Sequence, residues 1–277
     1  MKLQKIMLDG GFTCPNRDGR VGTGGCTFCR TDAFNPSYCR STSSIREQLE
    51  AGKRFFAGKY PEMKYLAYFQ ANSNTYAPLS ILAQRYEEAL SVEDVVGLVI
   101  GTRPDCVEAE VLQYLVNLQQ KGHLISLELG VESFYDKTLQ RINRGHSAAT
   151  SISAIKRSAD MGLETGIHLI LGLPGETKEE ILYETEIINT LPIHSIKLHQ
   201  LQILKGTAIA KEYEEHPNDF LSMNIDDYAD LVAAFISRLR KDIHVERFAS
   251  SSPTDLIIAP RWGLKPSEVQ RRIEERL

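Results

Sequence analysis

Three cysteines near the start of the chain have the residue type and spacing of a metal centre. Cys26 and Cys29 form a CxxC pair, and Cys14 precedes Cys26 by twelve positions. Thiolates at such spacing bind zinc or iron–sulfur clusters. Gly24 and Gly25 directly precede the pair, and glycines let the backbone pass close to a bulky inorganic centre. The loop therefore predicts a metal centre of one of these two kinds.

The choice between zinc and iron–sulfur depends on where the loop lies. A zinc site needs a fourth ligand, which Cys39 would supply, and the cysteines alone favour the two kinds about equally. The loop, however, follows the first predicted strand, where parallel α/β folds place active sites. Three cysteines on a cubane cluster also leave one iron open to a reacting ligand. We therefore favour a cluster on Cys14, Cys26 and Cys29, and we predict that Cys39 and Cys106 are buried thiols.

The elements that position this loop alternate along most of the chain. The predicted strands are 4–8, 65–70, 95–101, 125–130, 166–171 and 195–203. The predicted helices are 43–56, 79–89, 107–121, 135–141 with 148–161, and 178–191, followed by 225–240 and 267–276. Six strand–helix repeats predict an α/β fold whose parallel sheet is buried on both faces, as a barrel or partial barrel. Its functional residues are expected at the carboxyl ends of the strands.

The composition is that of a folded, water-soluble chain. The chain has 277 residues, 42% of them hydrophobic, and 32 Lys and Arg against 36 Asp and Glu give a net charge of −4. Its apolar stretches are far shorter than the roughly 20 residues that span a bilayer, and its first residues lack a signal region. We therefore expect a cytoplasmic protein with no membrane segment, and the negative charge weakens the case for a nucleic-acid partner.

Short motifs follow the predicted strands in order. The cysteine loop begins with CPNRDG at 14–19 and has Phe28 directly before Cys29, and it is followed by TRPD at 102–105, ELGVES at 128–133, NRGH at 143–146 and GLPGE at 172–176. With these motifs the chain resembles the radical S-adenosylmethionine (SAM) superfamily. Within it, the chain is similar to the YhcC-like proteins, which are close to the radical SAM domain of the Elongator catalytic subunit. The gap before Cys26 is longer than the usual CxxxCxxC, and the segment that usually precedes the first strand is expected to be missing.

The resemblance implies both a fold and a chemistry. The fold is a partial (β/α)6 barrel of TIM type, read as one domain with a core over about 4–215 and a helical C-terminal extension over about 216–277. The cofactors are SAM and a [4Fe-4S] cluster held by Cys14, Cys26 and Cys29. A flavodoxin- or ferredoxin-like donor delivers one electron, and SAM then breaks into methionine and a 5′-deoxyadenosyl radical that takes hydrogen from a substrate.

The resemblance also assigns residues near several strand ends to SAM. They are Phe28, Gln70, Asn72, Asn74, Glu132, Arg144, His168 and Gly172. Arg144 stands where relatives pair an arginine with the SAM carboxylate, and Glu132 stands where a ribose contact is expected. Plainer interpretations stay open: a helix-capping turn for Asn72 and Asn74, a surface arginine for Arg144, and a core histidine for His168.

Candidates for substrate contact lie on the third and sixth strands. They are Arg103, Lys197 and His199, and strand alternation places Lys197 and His199 on one face. For Lys197, a surface position is the more ordinary expectation. The substrate itself is not determined, although the Elongator resemblance suggests tRNA. A zinc-binding structural or RNA-associated adaptor that uses Cys14, Cys26, Cys29 and Cys39 is the alternative function.

Overall fold

The computed structural model describes residues 2–30, 33, 35–57 and 63–277, and strands form its centre. In chain order these are β1 (Lys2–Leu8), β2 (Met63–Phe69), β3 (Val95–Thr102), β4 (Leu124–Glu132), β5 (Glu164–Leu171), β6 (Ser195–Gln200), β7 (Ile203–Leu204), β8 (His244–Arg247) and β9 (Ile257–Ala259). Within the described residues, seven strands form one parallel sheet in the order β1-β2-β3-β4-β5-β6-β8. The short β7 and β9 pair antiparallel with each other.

This sheet confirms the predicted α/β fold class. The first five strands agree with the predicted ranges to within two residues at each end, whereas the sixth ends at Gln200 and β7 follows separately. The sheet curls into a partial barrel with β1 and β8 at its two edges. The C-terminal segment, predicted to be helical, also contributes β8 beside β6. Since β8 has only four residues, its sequence carried little strand signal.

Helices cover the sheet. They are α1 (Ile45–Phe56), α2 (Leu79–Leu90), α3 (Ala109–Gln120), α4 (Asp136–Arg141), α5 (Ala148–Asp160), α6 (Lys178–Ile188), α7 (Ala208–Glu215), α8 (Ile225–Arg238) and α9 (Pro266–Glu274). Reciprocal caps begin several of them, as in α6, where Thr177 accepts from the Glu180 amide and Glu180 accepts from the Thr177 amide. In the part of the chain that the structure describes, no helix has the length and apolarity needed to cross a membrane.

The apolar runs explain why these residues form buried strands. Leu98 and Ile100 of β3 and Leu169 and Leu171 of β5 are fully buried, as expected for parallel strands with helices on the outer face and side chains filling the barrel. Register shifts interrupt the pairing at several places, and two of them concern the site: one at Val131 between Gly130 and Glu132, and one where Glu246 of β8 lies opposite β6. Such bulges re-aim the side chains around them.

Candidate active site

The cysteine loop lies over the carboxyl ends of the strands. Cys14, Cys26 and Cys29 all line one cavity of about 220 Å³. The loop is held by its own backbone: the Arg17 amide donates to the Cys14 carbonyl at 2.8 Å, and the Cys29 amide donates to the Cys26 carbonyl at 3.0 Å. The structure thus brings together the three thiols that the sequence singled out.

Two guanidinium groups contact these thiols. Arg17 Nη2 lies 3.2 Å from Cys29 Sγ, and Arg144 Nη1 lies 3.4 Å from Cys26 Sγ. Burial raises the pKa of the Cys29 thiol, and the neighbouring Arg17 charge opposes that rise. Positive charge beside a thiol favours the thiolate, which is the form that binds metals.

The two remaining cysteines lie away from the cavity lining. Cys39 is buried beside Asp9, and burial raises the pKa of its thiol to about 12. Cys106 is buried next to Asp105, and burial likewise raises its pKa to about 12. Among the described residues, no three His, Cys, Asp or Glu side chains converge on one metal ion, as tetrahedral zinc requires.

Arg144 sits at the first bulge. It is 6% exposed, its Nη2 donates to the Gly130 carbonyl, and it lies 3.4 Å from Glu132 Oε1. Glu132 has a φ of 69°, a left-handed backbone that is uncommon outside glycine, and the bulge turns its side chain toward the cavity. Burial lowers the pKa of Arg144, but the charges of Cys26 and Glu132 outweigh burial and raise it. Arg144 is therefore a buried cation and not a surface arginine.

Arg103 is largely taken up by partners within the protein. Its Nε and Nη2 donate to Asp105 at 2.8 and 2.9 Å, and Nη2 also donates to the Arg144 carbonyl at 2.8 Å. These hydrogen bonds from the Arg103 guanidinium fix the turn that carries Arg144. Arg103 also lines the cavity, and its buried Nη1 has no hydrogen-bond partner among the described residues.

The predicted SAM residues divide into two groups. Phe28, Gln70, Asn72, Glu132, Arg144, His168 and the substrate candidate His199 line the cavity. Asn74 does not, because its amide donates to the Phe69 and Gly101 carbonyls at 3.1 and 2.7 Å and ties the end of β2 to β3. Gly172 is also outside the lining, in a turn beside Met223.

A buried polar network forms the floor of the cavity, and we call it the Glu128 cluster: Lys5, Tyr68, Glu128, His168, Lys197 and Glu246. Glu128 accepts from Lys5 at 3.0 Å, from Tyr68 at 2.6 Å, from His168 at 2.9 Å and from Lys197. Lys5 also pairs with Glu246. Burial alone would raise the pKa of Glu128, but the His168 hydrogen bond and the charges of Lys197 and Lys5 hold it well below its usual range.

Lys197 corrects one expectation. It is 4% exposed, so a surface position is wrong, and its face of β6 is the interior one. Burial lowers the pKa of Lys197 to about 8 in spite of the Glu128 charge. The rings of His199 and His168 lie 5.5 Å apart, and burial holds the pKa of His199 well below its usual range. His199 is a half-buried imidazole whose Nε2 atom is buried and has no hydrogen-bond partner among the described residues.

A second buried acidic group, the Glu176–Glu184 pair, lies outside the cavity lining. Ser133 Oγ is 2.6 Å from Glu176 Oε1 and 3.1 Å from Glu184 Oε1, and the Phe134 amide donates to Glu184 at 2.6 Å. One hydroxyl carries one proton, so a carboxyl must supply the other hydrogen bond. Burial raises the pKa of Glu176 to about 7 and that of Glu184 to about 8.

Sequence reasoning missed several residues of this site. Glu128, Tyr68 and Lys5 were not chosen, although each is a polar residue with apolar neighbours in a predicted strand. That interruption is the signal that could have found them. Arg247, which lines the cavity from β8, had no such signal because β8 itself was not predicted.

Comparison with known proteins shows which families and proteins this chain resembles. A family model described as the radical SAM superfamily matches residues 17–185, and one described as the radical SAM C-terminal domain matches residues 193–277. YhcC of Escherichia coli (strain K12) is 38% identical over 261 residues, covering 94% of this chain and 82% of that protein. YtqA of Bacillus subtilis (strain 168) is 36% identical over 276 residues, covering 100% and 85%. The solved structure of Elp3 from the archaeon Methanocaldococcus infernus, 17% identical, superposes with a TM-score of 0.72 over 99% of this chain and 63% of that one.

Proposed function

Because the chain belongs to the radical SAM superfamily, we propose that it is an enzyme that cleaves SAM reductively at a [4Fe-4S] cluster. Cys14, Cys26 and Cys29 would hold the cluster. The observation that supports this most directly is the convergence of these three thiols, two of them contacted by arginines, on one cavity.

The other residues around the cavity fit a polar ligand such as SAM. Buried polar atoms with no hydrogen-bond partner among the described residues include Gln70 Oε1, Arg103 Nη1, Arg144 Nε and His199 Nε2, and all four residues line this cavity. A buried polar atom without a partner costs free energy, so such atoms around one cavity indicate a ligand that pairs with them. The amino-acid end, ribose and adenine of SAM present both donors and acceptors.

Each residue then has a definite task. When bound, the cluster and SAM supply a carbon radical able to take hydrogen from an unreactive C–H bond. Arg17 and Arg144 balance the negative charge of the thiolates. Arg144, fixed by Arg103 and Glu132, presents a cation suited to the SAM carboxylate. Phe28 covers one side of the cavity and helps to exclude water.

The proposal implies an electron donor, which we expect to be a flavodoxin- or ferredoxin-like protein. A tRNA substrate has less support from the surface. Arg271 and Arg272 of α9 pair with Glu275 and Asp226, and Arg276, just after α9, pairs with Asp226 and Asp230, so these arginines already have carboxylate partners. They offer a weaker attraction for phosphates than free cations would.

The test is anaerobic reconstitution with iron and sulfide, followed by iron counting, EPR of the reduced protein and detection of 5′-deoxyadenosine after addition of SAM and dithionite. We expect four irons per chain, a reducible cluster and SAM cleavage. Cys14→Ala should abolish cleavage because the cluster then has two thiolates instead of three.

Cys39→Ser is the matched control, because it changes a buried thiol outside the cavity. We expect it to keep its iron and to cleave SAM. A single bound zinc that Cys39→Ser releases as completely as Cys26→Ser would contradict the proposal and support the zinc adaptor.

A further inference from the structure

A second, larger cleft adjoins the candidate SAM cavity. Its volume is about 990 Å³, and it lies between the ends of β2 and β6 and the segment that runs from β8 to α9. Gln70 and Arg247 line both the cavity and the cleft, so the two are contiguous. The proposed function assigns the cofactors to the SAM cavity and assigns no ligand to this cleft.

The charge of the cleft is mainly positive. Its described lining contains the cations Lys205, Arg247, Arg261 and Lys265 and the acids Glu246 and Asp255. Glu246 is already neutralised by Lys5. The cleft therefore attracts an anion, although the whole chain carries a net charge of −4.

Arg247 is the cation best placed to bind that anion. It is half-buried, and among the described residues no acceptor makes a hydrogen bond or ion pair with its guanidinium. The bulge at Glu246 lets two consecutive residues of β8 reach the interior, Glu246 toward Lys5 and Arg247 at the boundary of the two cavities. In register, Arg247 lies beside Lys197 of β6.

Part of the cleft lining is apolar. Phe248, Pro260 and Trp262 form this part. Trp262 is held in place, because its indole donates to the Met223 carbonyl at 3.0 Å and its ring packs on Tyr228 at 5.2 Å. Tyr228 in turn donates to the Phe248 carbonyl at 2.7 Å, which joins this apolar wall to the residue after Arg247.

We propose that the cleft binds the substrate, a small anionic molecule whose phosphate or carboxylate group pairs with Arg247 and whose planar or apolar part lies against Trp262. The word substrate rests on the proposed function, whereas the binding of an anion does not. A cleft of this volume suits a small molecule, since ligand pockets are typically about 300–1,000 Å³. Arg271, Arg272 and Arg276, in and just after α9, already have carboxylate partners, which makes a polymeric anion the weaker choice.

The experiment uses Trp262 as the reporter, because the chain has one tryptophan. Its fluorescence is titrated in the cluster-free protein with phenyl phosphate, benzoate, benzyl alcohol and inorganic phosphate. The first three probes share a ring and differ in its substituent, whereas inorganic phosphate has no ring. We expect a saturable change with phenyl phosphate or benzoate, whichever anion the cleft prefers, and none at equal concentration with benzyl alcohol.

Arg247→Gln should weaken the preferred probe about tenfold or more, the size expected for a charge-assisted pair. Arg247→Lys, which keeps the charge, should recover most of the binding and shows that the strand edge still folds. Arg271→Gln, at a surface pair with Glu275, is the matched control and should bind as the unchanged protein does.

Three results would overturn the proposal: benzyl alcohol binding as tightly as the anions, Arg247→Gln binding the preferred probe unchanged, or no response to any anion. A change produced by tRNA and by none of the small anions would also overturn it and would favour an RNA ligand. All of these readouts are independent of SAM cleavage, so the anion site and the proposed function can fail separately.

Discussion

The Glu128 cluster and the Glu176–Glu184 pair are both buried acidic groups, yet their surroundings drive their pKa values in opposite directions. Glu128 is contacted by Lys5, Lys197 and His168, and its pKa is held well below the usual range. Glu176 and Glu184 are contacted by Ser133 and a backbone amide, and burial raises their pKa values. Equal burial therefore gives an ionised carboxylate in one place and carboxyls that keep their protons to a higher pH in the other.

The difference follows the position of each group in the fold. The Glu128 cluster is at the floor of the cavity, where a fixed negative charge holds two lysines, a tyrosine and a histidine from four other strands in place. The Glu176–Glu184 pair ties the turn after β4 to α6. Charge is kept where it faces a ligand site, and neutral hydrogen bonds suffice where two elements are joined.

Glu128→Gln is the change with the largest expected effect. Glutamine keeps the shape but leaves Lys197 and Lys5 with Glu246 as their remaining acidic partner. We expect a loss of about 3 kcal/mol in the free energy of unfolding, as when a buried ion pair loses one partner. Urea unfolding of the reduced, cluster-free protein at pH 7 measures it.

A double variant tests whether the unpaired lysine causes this loss. Lys197→Met removes the charge that Glu128→Gln leaves without its partner, so the double variant should recover part of the lost stability. Because the pKa of Glu128 is depressed in the folded state, its contribution should be present above pH 4.5, its ordinary value, and decline as the pH falls below it. Stability of Glu128→Gln equal to that of the unchanged protein would refute the cluster's role.

Glu184→Gln should stabilise the protein at high pH, whereas Glu128→Gln should destabilise it. The folded-state pKa values of about 7 and about 8 lie above the unfolded value of 4.5, so folding favours protonation and stability falls as the pH rises from about 5 to about 8. Glutamine keeps the acceptor for Phe134 without the ionisation. We expect Glu184→Gln to be more stable than the unchanged protein at pH 8, by an amount on the order of 2 kcal/mol.

Unfolding curves at pH 5 and pH 8 measure this effect. The difference should be smaller at pH 5, close to the unfolded pKa of 4.5, than at pH 8, and the pH dependence should flatten in the variant. A variant that is less stable at both pH values would mean that the carboxylate is paired by a cation, which would remove the contrast with Glu128.

Tyr68→Phe tests the Glu128 cluster through a smaller expected loss of stability. It removes the hydroxyl that donates to Glu128 at 2.6 Å and accepts from Lys197 at 3.2 Å, while the ring that packs beneath Lys197 stays. A hydrogen bond to a charged group contributes about 1.5–3 kcal/mol, and the remaining donors to Glu128 place the expected loss at the lower end. Thermal unfolding, with Tyr183→Phe at an exposed tyrosine as control, measures the loss.

Ser133→Ala has the smallest expected effect, about 1 kcal/mol or less at pH 6, since one neutral hydroxyl is lost between two protonated carboxyls. At pH 8 the loss should grow, because the hydroxyl is then a donor to a carboxylate. Denaturant unfolding at the two pH values gives the difference, and a loss that shrinks at pH 8 would contradict this account.

The sequence predicted the sheet because the evidence for it is local. The apolar runs of β3 and β5 and the Gly or polar residues after them lie within a few positions of each other, and they placed Cys14, Cys26 and Cys29 at the right edge. The Glu128 cluster was out of reach, since Lys5 and Glu246 are 241 positions apart and meet only when β8 completes the sheet. The bulges that turn Glu132 and Arg247 inward are one-residue changes in pairing that no periodicity records.

The bulge in β4 also limits which substitutions this chain can tolerate. A Cβ at Gly130 would lie 2.7 Å from Glu132 Oε1 and 2.9 Å from Arg144 Nη2, and Glu132 has the left-handed backbone that β-branched residues avoid. Glycine or asparagine would tolerate that backbone at position 132, but either would leave Arg144 without its carboxylate. In a saturation library, substitutions at 130 and 132 should therefore survive mainly in combination, so these few residues evolve as one unit.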